Sequence, residues 1–204
     1  MNAPEPIAAV VLAAGTSSRM GTHKLLLRLE GESLIRRVVR TLREVPVRDV
    51  VVVVGHDRAA VEAELTGLDV RFARNENYAL GMGSSFAAGV RALDDGVEAA
   101  LFVLADRPFV TVDLYRRLLE SYRRTRPPLV AGSYDGIVAP PHVVRRDLFA
   151  QVGNDGVGIR PLLEQLGTAA VVLDFPREAL FDIDEPADFE RAQALLRRTE
   201  PGGT

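Results

Sequence analysis

The sequence predicts a three-layer α/β sandwich with a mostly parallel, Rossmann-like central sheet. Three observations predict it. Short, near-continuous runs of Val, Ile, Leu and Ala recur along the chain, as expected of strands buried on both faces. Amphipathic stretches of helical length alternate with them. The residues with unusual chemistry fall directly after strands, where folds of this class bind ligands. At 204 residues, 47% of them hydrophobic, the chain is long enough for one domain with a sizeable core. That domain is expected over residues 7–198, between a loose lead-in (1–6) and a frayed tail (199–204).

Taken in order, strands are expected at residues 7–12, 49–54, 70–73, 99–104, 129–131, 169–173 and 180–182. A helix over 33–44 places Leu34, Val38, Val39 and Leu42 on one face, with arginines opposite. Asp57 is placed to cap a helix running to about Leu65, Ser84 one to about Leu93, and Thr111 one to about Arg124. Asp184 is placed to cap the last helix, with Pro186 in its first turn, where the missing N–H costs nothing. Residues 140–160 are the least regular.

Composition narrows the function classes. With 25 Lys+Arg against 28 Asp+Glu and only 6% aromatic residues, the chain carries no footprint for nucleic acid. The absence of cysteine excludes disulfides, thiolate metal sites and a catalytic thiol. No apolar run approaches the roughly 20 residues that span a bilayer, and residues 7–14 are too short for a secretory leader. A cytoplasmic protein with no membrane partner is expected.

Three loops carry the chemistry. The first, residues 12–24, runs Leu12-Ala13-Ala14-Gly15 and on to Arg19, Gly21 and Lys24. Small residues after a strand let backbone N–H groups form an anion-binding concavity, and Arg19 and Lys24 supply the charge a triphosphate needs. The pattern is neither a Walker A loop nor a dinucleotide fingerprint. The alternative reading is a plain strand-to-helix turn with surface charges. The second loop ends in Gly81-Met82-Gly83-Ser84-Ser85. There N–H groups and hydroxyls at a helix start suit a base edge, a ribose or a phosphate, or merely cap the helix.

The third loop ends an apolar strand on Asp106-Arg107-Pro108. One carboxylate held by a proline turn suits Mg²⁺, which takes one or two carboxylates and completes its shell with water and phosphate oxygens. Pairing with Arg107 or capping a turn would explain Asp106 as well. Alternation sets Asp182 and Asp184 on one side of an extended chain; Asp184 is preferred as the second metal ligand, with Asp182 left to the acceptor. His142 and Arg160 are acceptor-side candidates, although a lone histidine is more often structural.

In the order Leu12-Ala-Ala-Gly-x-Ser-Ser-Arg-Met-Gly-x-x-Lys24, Gly81-Met-Gly-Ser-Ser85, Asp106-x-Pro108 and Asp182-Ile-Asp-x-Pro186, these motifs span most of the chain. Together they resemble the nucleotidyltransferases of GT-A-like fold, the MobA-like NTP transferases, with the likeness greatest to the molybdenum cofactor cytidylyltransferase branch. The resemblance implies that Gly15, Arg19 and Lys24 bind the triphosphate and Asp106 binds Mg²⁺. It implies a phosphorylated small-molecule acceptor, the molybdopterin cofactor, and transient contact with a molybdoenzyme. Ala14 resembles the cytidylyl branch, whereas guanylyl relatives carry a second glycine there. Three positions depart from the family: Arg107 replaces a Gln or Met, Arg28 a proline, and residues 154–160 lengthen a Gly-Asp-x-Gly-Ala-Arg motif.

The chemistry expected is attack of an acceptor phosphate oxygen on the α-phosphorus of CTP, expelling pyrophosphate. That step needs positioning and charge neutralisation rather than a general base. Two rivals stay open: the same transfer with another nucleotide or acceptor (GTP, a sugar phosphate, a methylerythritol phosphate), and a non-catalytic chaperone for the cofactor.

Overall fold

The computed structural model describes residues 6–15, 23–153 and 159–199. In chain order they form β1 (Ile7–Ala13), β2 (Arg28–Leu29), β3 (Glu32–Ser33), α1 (Leu34–Arg43), β4 (Val50–Val54), α2 (Arg58–Glu64), β5 (Arg71–Arg74), α3 (Met82–Arg91), β6 (Ala99–Leu104), α4 (Val112–Thr125), β7 (Leu129–Tyr134), β8 (Ile137–Arg145), α5 (Arg160–Leu166), β9 (Val171–Phe175) and α6 (Pro186–Thr199). β2 and β3 make a small hairpin. The other seven strands form one sheet in the order β5-β4-β1-β6-β8-β7-β9. Only β8 runs against the rest, pairing antiparallel with both β6 and β7.

Strand alternation builds the layers. Ile7, Ala9, Val11 and Ala13 of β1 face a core shared with α1, α2 and α4, while Ala8, Val10 and Leu12 face a second core shared with α3 and α5. A sheet buried on both faces needs the unbroken apolar strands that the sequence displays. Gly89 of α3 lets helix and sheet touch: a Cβ there would lie 2.4 Å from Cγ1 of Val10. A third cluster, Leu29, Leu34, Ile183, Ala192 and Leu196, seats α6 on the small hairpin. None of the helices described is long and apolar enough to cross a membrane.

Several expected details differ. β8 was not expected as a strand, because Pro140 and Pro141 lack the N–H groups a ladder needs. The structure admits them where β7 shifts register between Ala131 and Gly132, and β6 meets β8 only from His142 onward. Residues 180–182 are not a strand: a 3₁₀ turn (Arg177–Leu180) leads into an extended segment tied to the sheet through Ile183 N–H and the Asp106 carbonyl, 3.2 Å apart. Thr111 caps its helix as expected, and Ser33, expected as the first helical residue, is instead the N-cap of α1. Asp57 instead has φ 52° and makes no side-chain cap bond. Ser84 lies inside the first turn of α3, whose N-cap is Gly81. At the head of α6 it is Asp188 that accepts from the N–H groups of Asp184 and Glu185. The expected lead-in and tail fall mostly outside the described residues.

Candidate functional site

From β1 the chain moves through β4 to β5 on one side, then crosses to β6 on the other. A crevice opens where such a sheet reverses direction, here beyond the carboxyl ends of β1 and β6. It holds a cleft of about 770 Å³. Leu12, Ala13, Ala14, Gly15 and Lys24 form one wall, Gly81, Met82 and Ser85 another, and Asp106, Asp182 and Asp184 the floor. Gly55 at the end of β4 lets the first two walls approach: a Cβ there would lie 2.9 Å from the Cβ atoms of both Ala14 and Tyr78.

Lys24 organises the floor. Its ammonium donates to Asp106 Oδ2 and to Asp184 Oδ1, each at 2.6 Å. Burial opposes the charge, yet the two carboxylates, Asp106 foremost, hold the lysine above its usual pKa. Asp182 is shifted upward, first by burial and then by the like charges of Asp106 and Asp184, with Arg107 pulling the other way.

The second loop is braced by its own polar groups. Asn75, buried at the end of β5, donates to the hydroxyls of Ser84 and Ser85, and its Oδ1 accepts from Asn77 N–H. The Ser84 hydroxyl also donates to the Gly81 carbonyl. Gly83 and Ser84 are therefore not among the cleft-lining residues, whereas Gly81, Met82 and Ser85 are. Asn75 opens the second loop in sequence, where a polar residue ending a strand before a glycine-rich stretch was its signal, but its bracing role is seen only in the fold. Tyr78 and Ala79 of the second loop, and Leu25 just after Lys24, also line the cleft, although none was singled out as a site residue.

The acceptor candidates divide. His142 and Arg160 line a second cavity of about 520 Å³ that shares Met82 with the cleft, while Asp182 lies in the cleft. His142 is buried beside Arg107; burial first, and that cation second, lower its pKa to about 3, so it is neutral. Gly153, at the start of the acceptor-side segment, has φ 81° and packs so tightly on α3 that a Cβ would lie 2.2 Å from the Gly83 carbonyl oxygen. Arg19 and residues 154–158 lie outside the described residues.

The floor fits a hard cation. Asp106 Oδ1 is buried without a hydrogen-bond partner, and two carboxylates already converge on one positive charge. Among the described residues no three His, Asp or Glu side chains form an all-protein cage. Two carboxylates with phosphate oxygens completing the shell is how Mg²⁺ is usually held beside a nucleotide.

Comparison with known proteins bears on this geometry. The model of the MobA-like NTP transferase domain matches residues 9–170. A probable molybdenum cofactor guanylyltransferase from Natranaerobius thermophilus is 23% identical over 95% of this chain and 98% of its own length. The bifunctional protein GlmU of Streptomyces griseus is 37% identical over 99% of this chain, which spans only 37% of that longer protein. Among solved structures, a nucleotidyl transferase from Methanothermobacter thermautotrophicus superposes with a TM-score of 0.81 at 28% identity, covering 95% of this chain and 99% of the other.

Proposed function

The chain belongs to the MobA-like NTP transferase domain family and is a nucleotidyltransferase, and from that premise we propose that it moves CMP from CTP to a phosphorylated acceptor, the molybdopterin cofactor. The observation that carries the reading is the convergence of Lys24, Asp106 and Asp184 on the floor of a cleft walled by the first two loops. A binding module that only shelters a cofactor has no need of that arrangement.

In the proposed reaction an acceptor phosphate oxygen forms a bond to the α-phosphorus while the bond from that phosphorus to the bridging oxygen breaks, and pyrophosphate leaves with the electron pair. The backbone at Ala13, Ala14 and Gly15 cradles the phosphates, because small side chains leave its N–H groups accessible. Lys24, together with Arg19 of the same loop, offsets charge gathering on the pyrophosphate. Asp106 and Asp184 would hold Mg²⁺, which when bound neutralises phosphate oxygens. An acceptor phosphate is ionised at neutral pH, so no side chain must take its proton. The neutral, buried His142 is consistent with a wall rather than a base. CTP rather than GTP is supported by Ala14, and the molybdopterin acceptor by the motif order.

The test is pyrophosphate release from CTP, GTP, ATP and UTP, each with Mg²⁺ and either a molybdopterin-type or a sugar-phosphate acceptor. Release with CTP and the first acceptor is expected, and release with another pair would reassign the substrate. Asp106→Ala should lower turnover by about a hundredfold or more. Activity within a few-fold of wild type would remove Asp106 from the chemistry.

A further inference from the structure

Arg107 is buried, at 7% exposure, yet it has no carboxylate within ion-pair distance among the described residues. Among the described residues its one hydrogen bond runs from Nη1 to the Pro140 carbonyl, 2.7 Å away, and its Nε is buried without a partner. Around it the hydroxyl of Tyr134 shares the same carbonyl, Tyr115 leaves its own hydroxyl unsatisfied and His142 is neutral, while the Asp182 carboxylate feels its charge without reaching ion-pair distance. Desolvating a guanidinium without an anion is expensive. A planar fork with free N–H groups is suited to phosphate oxygens.

Position makes the mismatch informative. Arg107 lines the cleft beside Asp106, and the carbonyl it grips belongs to Pro140, a wall of the second cavity. It therefore stands at the junction of the two spaces. Building on the nucleotidyltransferase reading, in which donor and acceptor phosphates must meet, we propose that Arg107 is the anion receptor that holds the acceptor's phosphate next to the donor cleft. This assigns the acceptor an anionic group at the reacting end and a body that packs on Phe86, Ile159 and Leu163 of the second cavity, with Arg160 and Glu164 available to its polar groups. Lys24 and the first loop are left to the donor.

The experiment titrates inorganic phosphate into the protein, with and without Mg²⁺ and a non-hydrolysable CTP analogue, and measures analogue binding separately. It uses wild type, Arg107→Gln and Arg107→Lys. Phosphate binding is expected to weaken about tenfold or more in R107Q, the loss of one charge-assisted hydrogen-bonded contact, with analogue affinity within about twofold of wild type. R107K, which keeps the charge without the fork, should fall between. Circular dichroism reports folding. If R107Q does not fold, R107K decides, and wild-type phosphate affinity in a folded R107K overturns the proposal. It is also overturned if R107Q is folded and binds phosphate as wild type does, if analogue affinity falls as far as phosphate affinity, or if wild type binds no phosphate. Failure of wild type to bind any nucleotide would sink the transferase reading, while the phosphate titration without analogue still judges Arg107 as an anion receptor.

Discussion

Lys24 forms two 2.6 Å ion pairs with residues 82 and 160 positions away. The ammonium occupies the point that a cation bound by Asp106 and Asp184 would take, so lysine and metal compete for the same two carboxylates. Once phosphate oxygens are present, Lys24 has other anions to engage and the competition lapses. In Lys24→Ala the two carboxylates lose the ammonium they share. We expect Mg²⁺ alone to raise the melting temperature of K24A more than that of wild type, because only the variant offers both carboxylates at once. Triphosphate binding should weaken in the same variant. A magnesium titration followed by thermal denaturation checks this; equal shifts in both proteins would mean that the pair of carboxylates is not the cation site.

At the level of elements, the parallel strands were legible because burial on both faces demands runs such as Val50–Val54, which leave no alternative period. β8 was illegible for the complementary reason. Pro140, Pro141 and His142 look like a loop, and only the register shift in β7 and the tie from Arg107 to the Pro140 carbonyl make them a strand. The same burial has a pH signature. His142 has its pKa lowered from 6.5 to about 3, by burial first and by Arg107 second, and the tyrosines packed nearby, Tyr115 and Tyr134, are uncharged across this range. A buried neutral imidazole stabilises the fold fully above about pH 6.5. As pH falls toward 3 the unfolded chain takes up a proton that the folded chain refuses, so stability drops, by on the order of a few kcal/mol in all. His142→Gln should therefore show a shallower loss of stability between pH 6.5 and 4, read from urea midpoints at each pH. The slope will not vanish, since His23 is also shifted downward by its burial. Parallel curves for variant and wild type would show that His142 titrates normally.

Across the whole molecule, the candidate site is a product of topology. Residues 24, 106 and 184 are distant in sequence, and the order β4-β1-β6 brings the ends of two adjacent strands under one loop. The rule that ligands bind beyond strand ends identified the three loops from sequence. It could not identify Arg107 as the buried cation at their junction, nor Asn75 as the brace of the second loop, because both depend on which side chains meet across the fold. A cleft contributed by so many segments couples ligand binding to global stability. At one hundred times its dissociation constant, a ligand bound only by the folded chain adds about 2.7 kcal/mol, or roughly 5–10 °C in melting temperature for a chain near 200 residues. Mg²⁺ with a non-hydrolysable CTP analogue should produce a shift of that size, the GTP counterpart at equal concentration a smaller one, and Asp184→Asn should reduce both. A GTP shift larger than the CTP shift would reverse the reading of Ala14, and no shift with either nucleotide would mean that the cleft beyond β1 and β6 is not where a triphosphate binds.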